Sequence, residues 1–415
     1  MAKINKITGF QDLIDEQALA YSYMEDQARN MFAKYGYQEL RIPVLERTEL
    51  FARSIGQDTD VVQKEMYSFQ DRKGRSLSLR PEATAGVVRA YIENKLYSRE
   101  NVSKLFTLGP MFRYERPQKG RARQFHQVNA ELLGSSAPQA DAEIILMLWS
   151  YLRSLELPGL KLELNSLGCR ECRPVYSQKL DLFLQQIDQT QLCQDCRSRA
   201  SHNPLRLFDC KQQACASVLE KAPVITEHLC EACREHYQQI QQILHQVGVD
   251  FIENKNLVRG LDYYQRTAFE VTSQGIGAQT SVAGGGRYDS LVRDLGGPDV
   301  PGIGFACGME RLSLLLPEQH ASRPDFYLAV LEDQGLNLGQ ELAQKLRSQG
   351  LSGQVSLEAK SLKSQLRTAN KLGARKCLLL GESELKAQAL QVKDLQSGEQ
   401  HSVPLDQPEL AFRGP

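Results

Sequence analysis

The chain has 415 residues, enough at about 150 per domain for two to three domains, and its 41% hydrophobic and 24% charged content is ordinary for a globular protein. A large core is within reach, which excludes disorder, collagen-like repetition and a membrane-embedded body. Lysine plus arginine and aspartate plus glutamate both total 50, so only local clustering of charge can point to a partner.

Residues 16–35 carry Leu19, Tyr23, Met24, Ala28, Met31, Phe32 and Tyr35 at helical intervals, with Gly36 as a stop. Leu40, Ile42 and Val44 then alternate as in a strand, and Pro43 among them implies an edge or an interface, since proline donates no hydrogen bond. Two strands, 66–69 and 76–80, flank the turn Asp71–Gly74, and a helix with proline in its first turn spans 81–97. A further helix is expected at 138–154, strands at 161–165, 268–273 and 279–283, and a final helix after Gly304–Gly308. Between them, 169–250 is rich in cysteine and glutamine with helical patterning at 178–187, 216–221 and 232–247, and reads as an insertion. Beyond Pro324, strands at 326–331, 353–358 and 376–380 alternate with helices at 335–349, 361–373 and 382–390, which predicts a small α/β domain with a mainly parallel sheet. The expected division is therefore 1–168 with 251–323, an inserted 169–250, and 324–415. The amino terminus lacks an apolar leader, and the longest apolar run, Ile144–Trp149, is six residues against roughly 20 for a span, so a cytoplasmic protein without membrane contact is expected.

The densest charge lies in Met111–Phe125, where Arg113, Arg116, Lys119, Arg121 and Arg123 face Glu115 alone, a net charge of +4. Pro117 and Gly120 make its centre a turn. Arginines there can clamp phosphate and Phe125 can stack on a base, although a charge run is more often a solvated hairpin. Ala283–Asp289 (AGGGRYD) and Gly302–Leu312 (GIGFACGMERL) let a backbone come close to a ligand, or merely make tight turns; neither is a P-loop. Leu257–Tyr264 (LVRGLDYY) reads as a polar pocket wall. In Arg80–Thr84 (RPEAT), Glu82 opens a helix, where a carboxylate complements the dipole whatever else it does. Residues 360–376 hold six basic residues and no acid, with Lys363, Arg367, Lys371 and Arg375 on one helical face and Leu362, Leu366, Ala369 and Gly373 on the other. Eight of the ten cysteines form the doublets Cys169/Cys172, Cys193/Cys196, Cys210/Cys215 and Cys230/Cys233. Two four-cysteine zinc sites fit that spacing, with three ways of pairing the doublets; reduced, buried thiols are the alternative.

Together these pieces resemble the class II aminoacyl-tRNA synthetases. FRYE (112–115) is similar to their motif 2, GIGFACGMERL to motif 3 and the helix and strand around Pro43 to motif 1, while LVRGLDYY and AGGGRYD resemble the two histidine motifs of bacterial histidyl-tRNA synthetases. The resemblance runs from Gly9 to about Pro404. It implies an α+β fold: an antiparallel six-stranded sheet flanked by helices, a mainly helical insertion and a carboxy-terminal α/β anticodon-binding domain. It implies ATP-dependent attachment of L-histidine to tRNA(His) through histidyl-adenylate, with Mg²⁺ accompanying ATP, and a homodimer. By that resemblance Glu82, Thr84 and Gln127 hold the substrate's amino group. Glu131 and Tyr264 address the imidazole nitrogens, a donor–acceptor pair suited to a carboxylate and a phenol, and Tyr263 and Tyr288 belong to the same pocket. Arg113 holds the α-phosphate, Arg121 and Arg311 meet the terminal phosphates and adenine face, Glu115 takes the adenine amine and Phe125 stacks beneath it. Arg259 is the catalytic arginine, a fixed cation for charge developing on phosphorus. Arg116 and Gln118 read the 5′ end of the tRNA, and Lys363, Arg367 and Lys371 contact RNA phosphate. The rival is a regulatory paralogue that binds histidine without charging tRNA; the presence of Arg113, Arg121, Arg259 and Arg311 and of the basic carboxy-terminal domain favours the enzyme.

Overall fold

Helix α1 (Asp15–Lys34) buries Tyr21, Met24, Ala28 and Phe32, which recur at intervals of three and four and so share one face. It opens a computed structural model that describes residues 3–57, 59–202, 204–210, 212–276, 280–317 and 323–412. The chain divides into two compact units, Met1–His320 and Ala321–Pro415, with residues 169–250 inside the first.

In the first unit, β1 (Gln38–Glu39), β2 (Leu45–Arg47), α2 (Thr48–Ile55), β3 (Ser68–Gln70), β4 (Ser76–Leu79) and α3 (Thr84–Glu93) lead to the long hairpin β5 (Ser103–Phe112) and β6 (Gln124–Leu133). Then come α4 (Pro138–Ser154) and β7 (Leu160–Ser166), and the insertion helices α5 (Cys172–Gln186), α6 (Gln194–His202), α7 (Gln213–Leu219) and α8 (Glu231–Val247). The unit ends with β8 (Ile252–Glu253), β9 (Gln265–Ser273), β10 (Ser281–Arg287), α9 (Leu291–Asp294), β11 (Gly302–Gly308) and α10 (Met309–Ser313).

Eight strands form the main sheet in the order β1-β5-β6-β11-β10-β9-β7-β8. The inner six pair antiparallel, as expected, and two-residue strands add one parallel pair at each edge. Such short edges offer little backbone for a foreign strand to pair with. One face carries Phe106, Ala130, Leu132, Phe269, Val271, Ile303 and Phe305 under α1, α4 and α8. The alternate residues of the same strands, with Leu105, Leu133 and Ala268 among them, face α3 and the tyrosines.

Three local expectations are corrected. Leu40–Val44 is not a strand, because Pro43 cannot donate and the carbonyls of Ile42 and Pro43 are taken by the Arg80 guanidinium at 2.9 and 3.4 Å. The helix expected from Pro81 starts at Thr84, after Glu82 has capped its first amides. The strand expected at 279–283 begins at Ser281; residue 279 lies outside the described residues.

In the second unit, β12 (Phe326–Val330), α11 (Leu336–Ser348), β13 (Gly353–Val355), α12 (Leu362–Lys371), β14 (Lys376–Leu380), α13 (Glu382–Ala387), β15 (Ala389–Asp394) and β16 (Gln400–Pro404) form a sheet ordered β13-β12-β14-β15-β16. The first three strands are parallel; β15 and β16 add an antiparallel hairpin that the expectation of a mainly parallel sheet did not contain. Helix α12 ends at Lys371, so Arg375 lies beyond it and reaches Asp325 at 3.4 Å. Its inner face is carried by Ala369 and by Gln365, which bonds Tyr327 and the Val330 carbonyl, while Leu362 is exposed.

Candidate active site and metal centres

Glu131 on β6 stands beside Gly304 on β11, its register partner, and a Cβ on that glycine would lie 1.6 Å from the carboxylate. Glycine repeats this service across the floor. A Cβ at Gly286 would strike the Tyr264 ring at 2.8 Å, one at Gly302 the Tyr288 ring at 2.4 Å, and one at Gly284 the Arg259 guanidinium at 2.3 Å. The glycine clusters therefore make neither turns nor a phosphate cradle: they let large polar side chains lie flat on the sheet.

On that floor Glu131 accepts a hydrogen bond from Thr84 Oγ1 at 2.7 Å and another from the Tyr288 hydroxyl. Tyr263 packs between Tyr264, its ring tilted at 4.6 Å, and Tyr288, edge-on at 5.7 Å. Burial pushes the Glu131 carboxyl up to about 8, against the bonds from Tyr288 and Thr84 that favour its ionised form, with Glu82 repelling the charge further. Glu82 accepts from the amides of Thr84 and Ala85 at 2.6 and 2.9 Å, so the capping role open to it in the sequence is occupied, with a lone pair left on each oxygen. Gln127 is partly buried, and its Oε1 has no hydrogen-bond partner among the described residues.

Next to this pocket is a cavity of about 220 Å³ whose wall includes Arg113, Arg121, Arg259, Arg311, Phe125 and Gln127. Arg113 donates to the Pro81 carbonyl at 2.9 Å and its guanidinium lies over the Phe125 ring, 5.4 Å from the centroid. Arg121 and Glu115 pair at 2.8 Å. Arg311 donates to the Ser281 carbonyl at 2.6 Å. Arg259 donates to Glu270 at 2.9 Å and sits 5.5 Å from the Tyr264 centroid, while its Nε is unpartnered among the described residues. Burial works against its charge, but Tyr264, Glu270 and Tyr263 hold the guanidinium protonated. Arg116 and Gln118 are exposed at the hairpin tip, with Gln118 bridging to Arg121 through the backbone. Arg123, from the same basic run, is a brace: its guanidinium covers the Tyr114 ring at 4.0 Å and its backbone bonds Gly9. On the other unit, Lys363, Arg367 and Lys371 are exposed, and none pairs with a carboxylate among the described residues.

Sequence reasoning missed a second buried polar group, on the opposite face of the sheet. Arg287 is fully buried and pairs with Asp141, with Asp289 at 2.9 Å and with the Ser135 carbonyl at 2.9 Å. Asp141 also bonds His236 Nε2 at 2.9 Å and the Thr267 hydroxyl. Burial alone would raise the Asp141 carboxyl; Arg287 and His236 hold it below the usual range. A buried arginine in the motif AGGGRYD, with a lone aspartate near the start of α4, was the available signal.

The cysteines resolve the three possible pairings into one. Cys169, Cys172, Cys230 and Cys233 form one quartet and Cys193, Cys196, Cys210 and Cys215 another, with the sulfurs of each within 4.8 Å of one another. All are free thiols. The sulfur separations of 3.7 Å (Cys169–Cys172) and 3.9 Å (Cys169–Cys230, Cys193–Cys210) match the edge of about 3.8 Å that a tetrahedron with ~2.3 Å zinc–sulfur bonds requires. Backbone amides already serve as partners for thiolate: Glu171 donates to Cys169, Cys230 to Cys172, Cys196 to Cys193 and Cys193 to Cys215, at 3.1–3.4 Å. Burial works against ionisation of Cys169, but amides of Cys172 and Glu171 bring it down to about 7, and the amide of Cys196 brings Cys193 to about 7. The donor set fits zinc.

A six-stranded antiparallel core flanked by helices, with an arginine-walled cavity reached by a basic hairpin and by Glu310 and Arg311 on helix α10, defines the class II aminoacyl-tRNA synthetase fold. Comparison with known proteins narrows the class. The family profile for histidyl-tRNA synthetase matches residues 9–312, and that for an anticodon binding domain matches 325–409. A curated relative named histidine–tRNA ligase, from Oleidesulfovibrio alaskensis, is 58% identical over 409 residues and 98% of each chain; one from Geobacter sulfurreducens is 46% identical over 412 residues and 99% of each. The crystal structure of apo histidyl-tRNA synthetase from S. aureus superposes with a TM-score of 0.81 at 34% identity, covering all of both chains. The chain belongs to the histidyl-tRNA synthetase family.

Proposed function

We propose that the chain attaches L-histidine to tRNA(His) in two steps: histidine and ATP give histidyl-adenylate and pyrophosphate, and the terminal ribose hydroxyl of the tRNA then takes the histidyl group and releases AMP. The observation that carries this reading is the position of Arg259, which lies over Tyr264 in the histidine pocket and also lines the arginine-walled cavity.

The histidine imidazole lies between Glu131 and Tyr264, where one ring nitrogen donates and the other accepts. A site that pairs both nitrogens rejects an apolar isostere by leaving its own buried groups unpaired. Glu82, Thr84 and Gln127 receive the amino group, and Gln127 Oε1, which has no partner among the described residues, supports that role. Tyr263 and Tyr288 hold the pocket's walls. ATP lies in the cavity with adenine on Phe125 and near Glu115, the α-phosphate at Arg113, and the terminal phosphates at Arg121 and Arg311. Mg²⁺ would accompany ATP and neutralise phosphate charge, and Glu115 and Glu310 on the cavity wall are carboxylates of the class that would hold it. The substrate carboxylate is ionised at pH 7 and attacks phosphorus without a general base. Arg259 then meets the charge that grows there, in place, with no reorganisation.

Arg116 and Gln118 at the exposed hairpin tip meet the 5′ end of the tRNA, and Lys363, Arg367 and Lys371 track anticodon-arm phosphates. The work divides among residues 1–168 with 251–323 as catalytic domain, 169–250 as insertion and 324–415 as anticodon-binding domain. The protein is cytoplasmic and works as a homodimer through the segment around Pro43, where Val44, Leu45 and Phe69 stand exposed; among the described residues no helix is long and apolar enough to cross a membrane. Each cysteine quartet holds one structural zinc ion, which elemental analysis of protein purified under reducing conditions detects.

The deciding experiment is histidine-dependent exchange of pyrophosphate into ATP. Arg259→Ala is expected to lower it about 10²–10³-fold, as for loss of a preorganised transition-state donor. Exchange that persists in that variant overturns the assignment of the catalytic cation.

A further inference from the structure

The two metal centres and the histidine pocket are joined by two arginines that the reaction itself does not use. Arg173 follows Cys172 in the first turn of α5, and its amide bonds the Cys169 carbonyl at 3.0 Å, so its backbone belongs to the first quartet. Its side chain leaves the insertion and donates to the backbone carbonyl of Tyr264 and, at 3.3 Å, to that of Leu167. Arg206 sits in the single helical turn Pro204–Asp209, which runs directly into Cys210 of the second quartet; the Cys210 amide bonds the Leu207 carbonyl at 3.1 Å. Its side chain donates to the Gly260 carbonyl at 2.7 Å.

Gly260 and Tyr264 bracket the loop that carries Arg259 at one end and the imidazole-facing Tyr264 at the other. That loop has no regular structure, and a loop without a ladder must find its backbone partners elsewhere. Here two are cationic side chains, and bonds to charged donors are stronger than neutral ones. Each arginine sits against its quartet: among the described residues the first quartet packs with Leu229 and beside Gly168, while the turn that bears Arg206 packs Leu205, Leu207 and Phe208 into the apolar core that also holds Cys196 and Cys215, so quartet and core together place Arg206.

We propose that the insertion is a two-point, metal-centred clamp on the histidine-binding loop, with Arg173 and Arg206 as positioning residues. The inference rests on the zinc reading given above. An ion in each quartet fixes its arginine, and the two arginines fix the ends of the loop, so metal occupancy sets the affinity for histidine and the placement of Arg259, while the rest of the ATP cavity wall, carried by other elements, is unaffected.

The test uses the full-length protein with its metal. Elemental analysis counts zinc, the thiolate charge-transfer band of the Co²⁺-substituted protein reports each quartet's geometry, and pyrophosphate exchange separates KM for histidine, KM for ATP and kcat. Arg173→Met and Arg206→Met are expected to keep their metal and raise KM for histidine roughly tenfold, with KM for ATP changed less than about twofold, the size of effect one lost bond to a charged donor produces. Arg206→Lys, which keeps a cation, recovers part of the loss. Cys233→Ser and Cys215→Ser each lose one ion and reproduce the effect of the arginine in that lobe; should either fail to fold, the arginine variants decide. Protein that holds no metal overturns the zinc reading and the clamp together. Protein that holds metal in both quartets, yet binds histidine normally in both arginine variants, overturns the clamp and leaves the zinc reading standing.

Discussion

An arginine lies against each face of the main sheet, Arg287 fully buried and Arg259, from a loop, partly buried, and the two are opposites. On the helix-covered face Arg287 is saturated, with Asp141, Asp289 and the Ser135 carbonyl around it and His236 and Thr267 completing the shell of Asp141. On the glycine-floored face Arg259 has one carboxylate partner, an aromatic ring and an Nε without a partner among the described residues. Both charges are desolvated, but only one has all its bonds made. A buried polar group whose bonds are complete specifies the fold, whereas one left short beside a cavity is poised for a ligand.

Substitutions on the two faces should therefore fail differently. Gly304→Ala drives a methyl group into Glu131 and against the Ala130 carbonyl at 2.6 Å. Histidine-dependent exchange should fall by about 10³-fold or more, since the carboxylate loses its place in the pocket; retention of a normal KM for histidine would remove Glu131 from the imidazole site. Asp141→Asn attacks the opposite face and leaves the buried Arg287 guanidinium with Asp289 as its one carboxylate partner among the described residues. A loss of about 3–5 kcal/mol in urea unfolding is expected, with KM values near wild type in whatever folds. Loss of activity without loss of stability would mean that the faces are not separable.

The carboxyl of Glu131 supplies a pH test. It titrates near 8, and a buried pocket favours one shared proton between this carboxyl and the imidazole. Above pH 8 the free enzyme has lost that proton and must regain it to bind, so KM for histidine should rise about tenfold per unit. Below ~6.5, the ordinary imidazole value, free histidine carries a surplus proton that it must shed, so KM rises again. Glu131→Gln should flatten the alkaline limb; an unchanged limb assigns it to another group. The smallest effect belongs to the charges left unpaired in open water. Removing Lys363, Arg367 or Lys371 should weaken tRNA only a few-fold each and lower the salt slope of binding by ~0.7–0.9. Pyrophosphate exchange should not move.

What the sequence disclosed follows the same division. Periodicity located α1, α4 and α8 closely, because a helix against a core must repeat its apolar residues. The residues to which the family resemblance gives a role in histidine and ATP binding were picked out by their motifs, and the structure brings them to one floor and one cavity. The reason for the glycines was not: that Gly284, Gly286, Gly302 and Gly304 clear space for particular side chains depends on which strands become neighbours, and adjacency is a tertiary fact. Arg287 was passed over for the same reason, since its partner Asp141 lies 146 residues away. Helix α6 escaped notice because QDCRSRASH has no apolar stripe, and the β15–β16 hairpin because its turn, Gln396–Gly398, sits in a polar stretch. The cysteine spacing announced two quartets but could not choose among the pairings, for any doublet can meet any other until the chain between them is folded.

The pairing that the structure chooses has a topological consequence. The quartets are nested: the inner one joins positions 22 residues apart, from Cys193 to Cys215, and the outer one joins Cys169 to Cys230, 61 apart, around it. Closing the inner loop first shortens the free chain that the outer closure must still gather, and since each doubling of loop length costs only about 0.6 kcal/mol, the outer closure costs little more than the inner. Any alternative pairing interleaves the two loops or sets them side by side. A nested pair can form from the inside outward as the chain leaves the ribosome, and its last closure seals the insertion where the polypeptide rejoins the sheet.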